Sequence, residues 1–561
     1  MYKGIISGLV FSLAISSTSL SQVYDPASLN ADPATATSTI SPRLSGLSDY
    51  HFKVSTDNEQ SQYFFDQGMR LVFAFNHSEA LRSFKEAARL DPDNAMAYWG
   101  WAWSLGRNLN IPMMMNSADQ ANDAIHRASA LKDKVTERER DYIEVIEARY
   151  NDDLSIPRET LDIAYMNAAE KLMNKYPDDL DAAVLYAGAA MNTQPWDYWY
   201  LDGNPKGNTS KIISVLESVI ERDPENAGAL HYHIHVTEFK KPWLAEDSAD
   251  ALHPLLPGSG HLVHMPSHIY IRVGRYQDAY DINIKAVKAD EEYIEETKSQ
   301  SIYPLVYYPH NIHFLSWSSM STGRSQTSLD VAMNVKEYLE EGVRKTSWGS
   351  GNEYFRAQPI YVMVRFGKWD EILEMPKPFM KAQFLTGMRL YGRSLAYLHT
   401  GDIEKAEAEL AEFSKIAAAF KEGLPGYNTT GLRIPRDSLL IGEQYVMGEI
   451  EAAKGNYDEA VYHLSNAVRL EDSDTYSEPP AWQFPSRHVL GAILMEAGRA
   501  REAETVYWDD LKHNPKNAYS YYGLYQSMSA QGKAKQAAEF LALYEEEWKN
   551  SDTKLSSTRI K

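Results

Sequence analysis

Cysteine is absent from this chain of 561 residues. Its absence excludes disulfides, thiolate metal sites, iron–sulfur clusters, cysteine nucleophiles and a lipid-modified N-terminal cysteine. Long hydrophobic runs are also missing, since no segment reaches the roughly 18 apolar residues that a membrane-spanning helix needs. Any metal site would therefore depend on histidine and carboxylate ligands.

Positive charge is scarce as well. Lys and Arg number 56 against 77 Asp and Glu, which gives a formal net charge of −21. Nucleic acids and anionic membranes attract positively charged surfaces, so we expect no nucleic-acid partner and no integral membrane protein. Alternation of strands and helices, a phosphate-binding loop and a dinucleotide fingerprint are also missing, whereas 44% hydrophobic residues supply ample core material.

The N-terminus has the pattern of an export signal. Lys3 precedes the apolar run Gly4–Ser16, and small residues lead to a cleavage position near Ser19–Gln22. We therefore predict a signal peptide over residues 1–21, with a buried N-terminal strand as the alternative. A Ser/Thr/Ala/Pro-rich linker, residues 22–50, is predicted to follow and to be flexible. The mature protein would then be exported, unanchored and, in a bacterium with two membranes, periplasmic.

A helical repeat recurs along the chain. Its first copy places Gly68, Ala80, Phe84, Ala87 and Pro92 at the spacing of a tetratricopeptide (TPR) unit, in which small residues lie where two helices cross. Glycines mark the turns of further copies at Gly274, Gly401, Gly455, Gly498 and Gly532, and of weaker copies at Gly323 and Gly367. The pattern predicts an all-α TPR superhelical solenoid of about nine to eleven helical hairpins.

The repeat frame divides the chain into segments. We predict N-terminal TPR-like helices over 51–226, histidine-rich central TPR units over 227–350, C-terminal TPR units over 351–549 and a polar tail over 550–561. Four stretches break the repeat: a helical segment at Asn110–Ser155, an insertion at Asp290–Tyr308, and loops at Lys421–Arg436 and Glu471–Pro485. Insertions in a solenoid often line the binding face.

Histidines are concentrated in one part of the sequence. Nine of the 16 lie between His231 and His313, where an even distribution would place about two. On a helix beginning near Ala227, His231, His235 and Glu238 would share one face. The first helices of successive TPR units are neighbours, so similar faces on the next two helices would converge with this one.

Those next two helices carry the remaining histidines of the cluster. His261, His264 and His268 share one face of a helix beginning near Gly260, and His310 and His313 share one face of a helix beginning near Pro309. Pro266 offers an alternative, because a helix starting at that proline would leave His261 and His264 on the preceding loop.

Convergent imidazoles and a carboxylate are good ligands for copper(II), zinc, nickel or iron(II). The predicted metal ligands are His231, His235, His261, His264, His268, His310 and His313, with Glu238 as a further ligand or a candidate general base. The pattern is not that of the zincins, because no Glu follows the first histidine directly. The same histidines could instead bind an anionic ligand without metal, or serve as hydrogen-bonding groups between packed helices.

Aromatic residues form a second candidate site. Trp196 and Trp199 lie in a proline-broken segment, and Trp482 and Arg487 lie where a later unit begins. Indole rings stack on sugars or hold hydrophobic ligands, and a guanidinium pairs with carboxylate or sulfate. We predict these four residues as ligand-binding, with core packing and an ordinary salt bridge as the alternatives.

Several sequence blocks resemble a widespread bacterial family of long TPR proteins. They are Phe75–Ala80, Ala95–Gly100, Pro195–Trp199, His261–Ile269, Tyr308–His313 and Pro479–Trp482, and the most specific is His261–Ile269, which reads HLVHMPSHI. The chain is also similar to exported TPR proteins encoded near polysaccharide-degradation systems of marine Bacteroidetes. The resemblance implies a TPR fold over roughly residues 50 to 550 and an accessory role in polysaccharide degradation.

Two functions of different classes follow. The first is an exported scaffold that binds a protein partner, small molecule or glycan in the concave groove of the solenoid. The second is a metal-dependent enzyme or metal-binding protein that uses the histidine cluster. The scaffold leaves the concentration of histidines unexplained, whereas the metal site accounts for it.

Overall fold

The computed structural model describes residues 31–113, 117–298, 301–345, 353–378, 382–422, 433–474 and 476–560. The predicted signal peptide lies outside these residues. The described part of the predicted linker, residues 31–50, contains no helix or strand. Ile40, Ser41 and Leu47 within it are buried, and the Ser41 hydroxyl donates a hydrogen bond to the Glu79 carboxylate at 2.9 Å. This stretch therefore makes specific packing contacts.

The described residues are helical apart from connecting segments and one isolated antiparallel bridge between Trp199 and Pro205. The α-helices are α1 Glu59–Phe73, α2 His77–Leu90, α3 Ala95–Leu105, α4 Ala118–Ala130, α5 Glu137–Glu147, α6 Arg158–Lys175, α7 Leu180–Asn192, α8 Thr209–Arg222, α9 Ala227–Thr237, α10 Glu246–Leu252, α11 Gly260–His264, α12 Pro266–Val273, α13 Tyr276–Thr297, α14 Tyr303–Ser321, α15 Ser325–Lys345, α16 Glu353–Arg356, α17 Gln358–Arg365, α18 Trp369–Glu374, α19 Gln383–His399, α20 Ile403–Glu422, α21 Arg433–Ala453, α22 Tyr457–Asp472, α23 Ser486–Glu496, α24 Ala500–His513, α25 Ala518–Ala530 and α26 Ala534–Glu547. Short 3-10 helices lie at Lys132–Lys134 and Pro242–Ala245.

Consecutive helices pack on one another as TPR hairpins, and this confirms the predicted all-α, TPR-like fold class. The first copy shows why small residues are needed at the crossing. A Cβ atom on Gly68 would come within 2.6 Å of the Phe84 ring, and one on Gly100 within 2.4 Å. Ala80, Phe84 and Ala87 are fully buried, so the predicted repeat residues form the core of this hairpin.

The glycines predicted to mark the turns share one backbone conformation. All have positive φ: Gly274, Gly323, Gly367, Gly401, Gly455, Gly498 and Gly532. At Gly274, φ is 81° and the backbone N–H donates to the Tyr270 carbonyl, which ends α12. Residues with a Cβ atom rarely adopt this left-handed conformation, so glycine is the natural residue for the turn.

Two predicted boundaries need correction. The stretch Asp290–Tyr308, predicted as an insertion, lies largely within α13 and α14. The helix that carries His310 was expected to begin near Pro309, but it begins at Tyr303 and contains the proline in its interior. An interior proline removes one backbone hydrogen bond without necessarily ending the helix, and this misled the sequence interpretation. The predicted loop Glu471–Pro485 begins inside α22, which ends at Asp472, and its remaining described residues contain no helix.

The chain divides into two compact units. The first comprises the described residues up to Pro195, together with Leu255–Ser259 and Lys288–Tyr307. The second comprises Trp196–Pro254, Gly260–Val287 and the chain from Tyr308 onwards, and it holds every predicted metal-binding and ligand-binding residue. Of the helices described, none combines the length and the apolar character that crossing a bilayer requires.

Candidate metal centre

The first part of the histidine cluster lies on α9. Asn226 caps this helix, its side chain accepting a hydrogen bond from the Ala229 N–H. His231 and His235 are buried one turn apart, with ring centroids separated by 4.8 Å, and Glu238 follows at the C-terminal end with its side chain buried. The helical spacing therefore places these three side chains on one face, as predicted.

The second part lies on α11 and α12, which follow one another almost without interruption. His261 and His264 are in α11, and the Met265 N–H donates to the His261 carbonyl at 3.0 Å. Pro266 then occupies the first turn of α12, where its missing N–H is tolerated. Both histidines are thus helical, although a new helix does begin at the proline. His264 and His268 approach with ring centroids 4.8 Å apart.

The cluster contains three groups whose possible ligand atoms all lie within 4.8 Å of one another. They are His231, His235 and His261; His264, His268 and His310; and Glu238, His268 and Glu478. The two all-histidine groups adjoin, since the ring centroids of His261 and His264 are 6.1 Å apart and those of His235 and His268 are 5.8 Å apart.

Nitrogen positions in the second all-histidine group fit a shared metal ion. His264 Nε2 lies 2.9 Å from His268 Nε2, which lies 3.4 Å from His310 Nε2. With metal–nitrogen bonds of about 2.0–2.1 Å, two ligands are about 2.9 Å apart at a right angle and about 3.4 Å apart at a tetrahedral angle. The distances from His268 Nε2 to the other two Nε2 atoms therefore match those between ligands of one ion.

Asn283 fixes the orientation of His264. The Asn283 side-chain NH2 donates to the Ala279 carbonyl at 2.7 Å, so its carbonyl oxygen is the atom that lies 2.7 Å from His264 Nδ1. His264 must therefore donate from Nδ1, and its Nε2 carries the lone pair. Metal-binding histidines are commonly held in this way, with the second ring nitrogen donating to an oxygen.

Two carboxylates perform the same task for His268. Its Nδ1 lies 2.7 Å from Glu478 Oε2 and 3.0 Å from Glu238 Oε2, and both carboxylate side chains are buried. These are ion-pair contacts that favour a proton on Nδ1, so Nε2 is the nitrogen that a metal ion could bind. Glu238 also lies 3.3 Å from His235 Nδ1, so this carboxylate lies behind ligands of both histidine groups.

The pKa values follow from burial and these contacts. Burial lowers the pKa of several imidazoles well below the ordinary range and so favours the neutral, metal-binding form: His235, His261, His264 and His310. Burial also lowers the pKa of His268, but Glu238 and Glu478 outweigh it and raise that pKa to about 10. A metal ion at Nε2 would replace the proton that His268 holds there.

His313 faces a different environment. Its Nε2 lies 3.0 Å from the Gln483 side-chain oxygen, and its ring packs edge-on against Tyr354 and Phe355. It belongs to none of the three groups within the described residues. A role as a metal ligand therefore stays a prediction for His313, whereas the other six predicted histidines all lie in an all-histidine group.

The two tryptophans of the proline-broken segment differ in exposure. Trp196 is 39% exposed, has φ of 63°, and packs edge-on against the His235 ring at 5.4 Å. Trp199 is buried, and its indole N–H donates to the Val236 carbonyl at 2.7 Å. Trp196 thus lies at the solvent side of a predicted metal ligand, whereas the Trp199 contacts favour core packing.

Trp482 and Arg487 also have internal partners. Trp482 is buried and packs edge-on against Tyr361 and Tyr391. The Arg487 guanidinium binds Asp472 through two hydrogen bonds of 2.7 and 2.6 Å and contacts Asp509 at 2.9 Å. These contacts favour the packing and salt-bridge alternatives. Ligand binding by either residue stays a prediction.

Sequence reasoning missed two residues of the centre, Asn283 and Glu478. Glu478 lies between α22 and α23, far along the chain from the histidines, and directly precedes the Pro479–Trp482 block, which carries the family resemblance and the predicted ligand-binding residue Trp482. That block, in a predicted loop of a repeat protein, was the available signal for Glu478. Asn283, which lies inside α13, has no comparable sequence signal. Its contact with His264 becomes visible only when α13 is packed against α11.

Comparison with known proteins adds little to this geometry. No protein-family model matches the chain, and no curated protein does. Solved structures that match include a human IFIT1 dimer with PPP-AAAA, at 12% identity and a TM-score of 0.31 over 87% of this chain and 91% of that one. Yeast Tom70 matches at 13% identity and 0.28, over 88% and 92% of the two chains, and the P58(IPK) TPR domain at 13% and 0.21, over 85% and 99%. Likeness this distant concerns the fold alone.

Proposed function

We propose that this TPR-like protein binds a pair of neighbouring transition-metal ions in its buried histidine centre. The proposal depends on the arrangement of His264, His268 and His310. His268 Nε2 lies 2.9 Å from His264 Nε2 and 3.4 Å from His310 Nε2. Asn283 holds His264 in the neutral form with a lone pair on Nε2, and a metal ion at His268 Nε2 would replace the proton there while Nδ1 faces the two carboxylates. His231, His235 and His261 would hold the second ion.

The ligand set favours zinc, copper(II), nickel or iron(II). These ions bind imidazole well, and a chain without cysteine offers no thiolate that would favour copper(I). Structural zinc sites usually have four protein ligands, whereas catalytic ones have three and keep one position for water or substrate. Three histidines for each ion therefore support a metal-dependent enzyme.

In this proposal Glu238 orients two metal-binding histidines and is neither a metal ligand nor a general base. Its two oxygens face His235 Nδ1 and His268 Nδ1. The carboxylate would then increase the electron donation of one imidazole in each group and orient both rings. Trp196, exposed beside His235, would border the route by which small molecules approach.

A second candidate is partner binding, which helical-repeat surfaces commonly provide. It is favoured by large apolar side chains of the second unit that are exposed to solvent: Tyr200, Leu201, Trp243 and Leu244. A protein partner or glycan at this surface could accompany a metal centre. The N-terminal pattern supports export to the periplasm as part of this proposal. The family resemblance supports an accessory role in polysaccharide degradation.

Metal content tests the main proposal. The full chain is purified without a histidine tag or chelator and analysed by elemental mass spectrometry, before and after reconstitution with zinc, copper(II), nickel or iron(II). We expect about two equivalents in the wild type and about one in His264→Gln/His268→Gln, with the second lost when His231→Gln/His261→Gln is added. His126→Gln, which alters a largely exposed histidine, is the matched control.

Circular dichroism must show that each variant keeps its helices. The four-fold variant carries all four substitutions, at His231, His261, His264 and His268. Substoichiometric metal in the reconstituted wild type, or equal metal content in the wild type and the four-fold variant, would overturn the proposal. Enzymatic turnover is tested afterwards by screening the loaded protein against ester, phosphoester, peptide and glycan substrates, with the four-fold variant as the blank.

A further inference from the structure

Arg365 is a buried cation without a carboxylate partner. It is the last residue of α17 and is 6% exposed. In the described part of the chain no Asp or Glu oxygen lies within ion-pair distance of its guanidinium. By contrast, the buried guanidiniums of Arg487 and Arg559 each contact two carboxylates. A buried charge without a counter-charge is costly, so this arrangement calls for an explanation.

The contacts that Arg365 does make are with uncharged groups. One face of the guanidinium lies 3.4 Å from the centroid of the Tyr519 ring, and the Phe484 ring is 5.1 Å away. Its Nη2 donates to His488 Nδ1 at 2.8 Å. His488 in turn donates from Nε2 to Asp510 at 2.9 Å. His488 is therefore held as a neutral acceptor and does not cancel the charge on Arg365.

The Nε–H of Arg365 has no hydrogen-bond acceptor among the described residues. The same holds for the indole N–H of Trp317, which is 5% exposed. Both side chains line one small cavity of about 30 Å³, which is larger than the roughly 10–15 Å³ needed for one water. Two side chains with unsatisfied buried donors, one of them charged, thus line the same pocket.

Among the described residues, no acidic side chain lines this cavity. Besides Arg365 and Trp317, its described walls include Gln483, Phe484, His488 and Tyr519. Asp510 lies behind His488 and binds Ser520 and Asn517 as well. The cavity therefore presents a positive charge and an N–H donor without a facing carboxylate.

We propose that this cavity is a binding site for one small monovalent anion of halide size. The anion would accept hydrogen bonds from Arg365 Nε and Trp317 Nε1 and would neutralise the buried guanidinium. The available volume of about 30 Å³ admits a chloride or bromide ion. Gln483, which contacts His313 Nε2, connects the wall of this site to α14.

Bromide is the probe for this site. Crystals of the full chain are soaked in sodium bromide, and anomalous diffraction is recorded at the bromine absorption edge. We expect an anomalous peak within about 3.6 Å of both Arg365 Nε and Trp317 Nε1. In solution, chloride or bromide should raise the Tm above its value in sodium gluconate of equal ionic strength, which controls for general screening.

Variants separate anion binding from a general packing role. Arg365→Gln should abolish the peak and the halide-dependent part of the Tm. Trp317→Phe keeps the ring and removes the N–H, so it should weaken halide binding at least several-fold even if Arg365→Gln fails to fold. Trp508→Phe, at an exposed tryptophan, is the matched control and should leave the halide response unchanged.

Two results would overturn the proposal. The first is electron density without anomalous signal in the cavity of the wild type, which would show that water solvates the guanidinium. The second is a halide response that is the same in the wild type and in Trp317→Phe. Both experiments run on protein with or without metal, so a failure of the metal proposal would not affect their interpretation.

Discussion

The hydrogen bond between His264 Nδ1 and the Asn283 side-chain oxygen, 2.7 Å long, decides which nitrogen of this histidine can bind a metal. Asn283 has no freedom to turn its amide, because its NH2 group already donates to the Ala279 carbonyl. The ring is therefore oriented from outside the centre. Asn283 would therefore influence a bound metal ion through His264 and without direct contact.

Replacing Asn283 by Ala should lower metal affinity about 10- to 100-fold, which is the usual effect of losing such an outer hydrogen bond. The ring would then be able to adopt either tautomer and to rotate. Affinity is measured by competition with a chromophoric chelator. Asn456→Ala, at an exposed asparagine, serves as the control and should bind like the wild type. Unchanged affinity in Asn283→Ala would show that the hydrogen bond does not orient a ligand.

Replacing Glu478 by Gln should also lower metal affinity, by about 10- to 100-fold. The amide keeps the size of the side chain but removes one of the two negative charges beside His268 Nδ1. A less electron-rich imidazole donates less to the ion. Isothermal titration of the apoprotein with zinc measures the effect, and Glu459→Gln, at an exposed carboxylate, is its control. Equal zinc affinity in both variants would contradict the role given to Glu478.

Substitution of the two histidines of α14 should affect the metal content differently. His310→Gln should remove one metal equivalent or weaken it at least tenfold, because His310 Nε2 lies 3.4 Å from His268 Nε2. His313→Gln should keep the full metal content, because that ring contacts Gln483. Elemental analysis of the two reconstituted variants, side by side, measures this. Loss of metal in His313→Gln alone would mean that the centre is assembled differently.

Asp510 should contribute a pH-dependent part of the stability. Burial raises the pKa of this carboxyl, but the contacts with His488, Ser520 and Asn514 outweigh burial and lower the pKa to about 2. A lowered pKa means that the stabilisation is fully present above the ordinary pKa near 3.8 and is lost as the pH falls toward 2. Asp510→Asn should thus cost about 2–3 kcal/mol of unfolding free energy at pH 7, since one pKa unit corresponds to about 1.4 kcal/mol.

Urea unfolding at pH 7 and at pH 3 measures this effect. The difference in unfolding free energy between the wild type and Asp510→Asn should be smaller at pH 3 than at pH 7. Asp458→Asn, at a fully exposed carboxylate, should have almost the same unfolding free energy as the wild type at either pH. A gap that is constant with pH would mean that the loss arises from packing and not from ionisation.

The features that the sequence predicts correctly are those that local backbone geometry determines. A spacing of four residues places His231 and His235 on one face wherever that helix packs. The turn glycines, of which Gly274 is the clearest, require a conformation that other residues rarely adopt. Features of this kind are determined within one turn or one hairpin, so one sequence is sufficient to predict them.

The rest depends on how distant segments pack. His310 and His313 differ by one helical turn, and their neighbours decide which one meets His268. Glu478 reaches His268 from a loop 210 positions further along the chain. Trp199 and Trp482 have the composition of a ligand-binding site, yet they are buried in the core. No periodicity in the sequence distinguishes these outcomes.

The late position of Glu478 has a consequence for the biogenesis of the protein. Chains grow from the N-terminus at about 5–20 residues per second, so Glu478 is added roughly 10–40 seconds after His268. During that interval the histidines exist without one of the carboxylates that orient them. Mature metal affinity would thus arise after the last repeats have been synthesised and folded, and a C-terminally truncated chain would retain the imidazoles but hold its ions weakly.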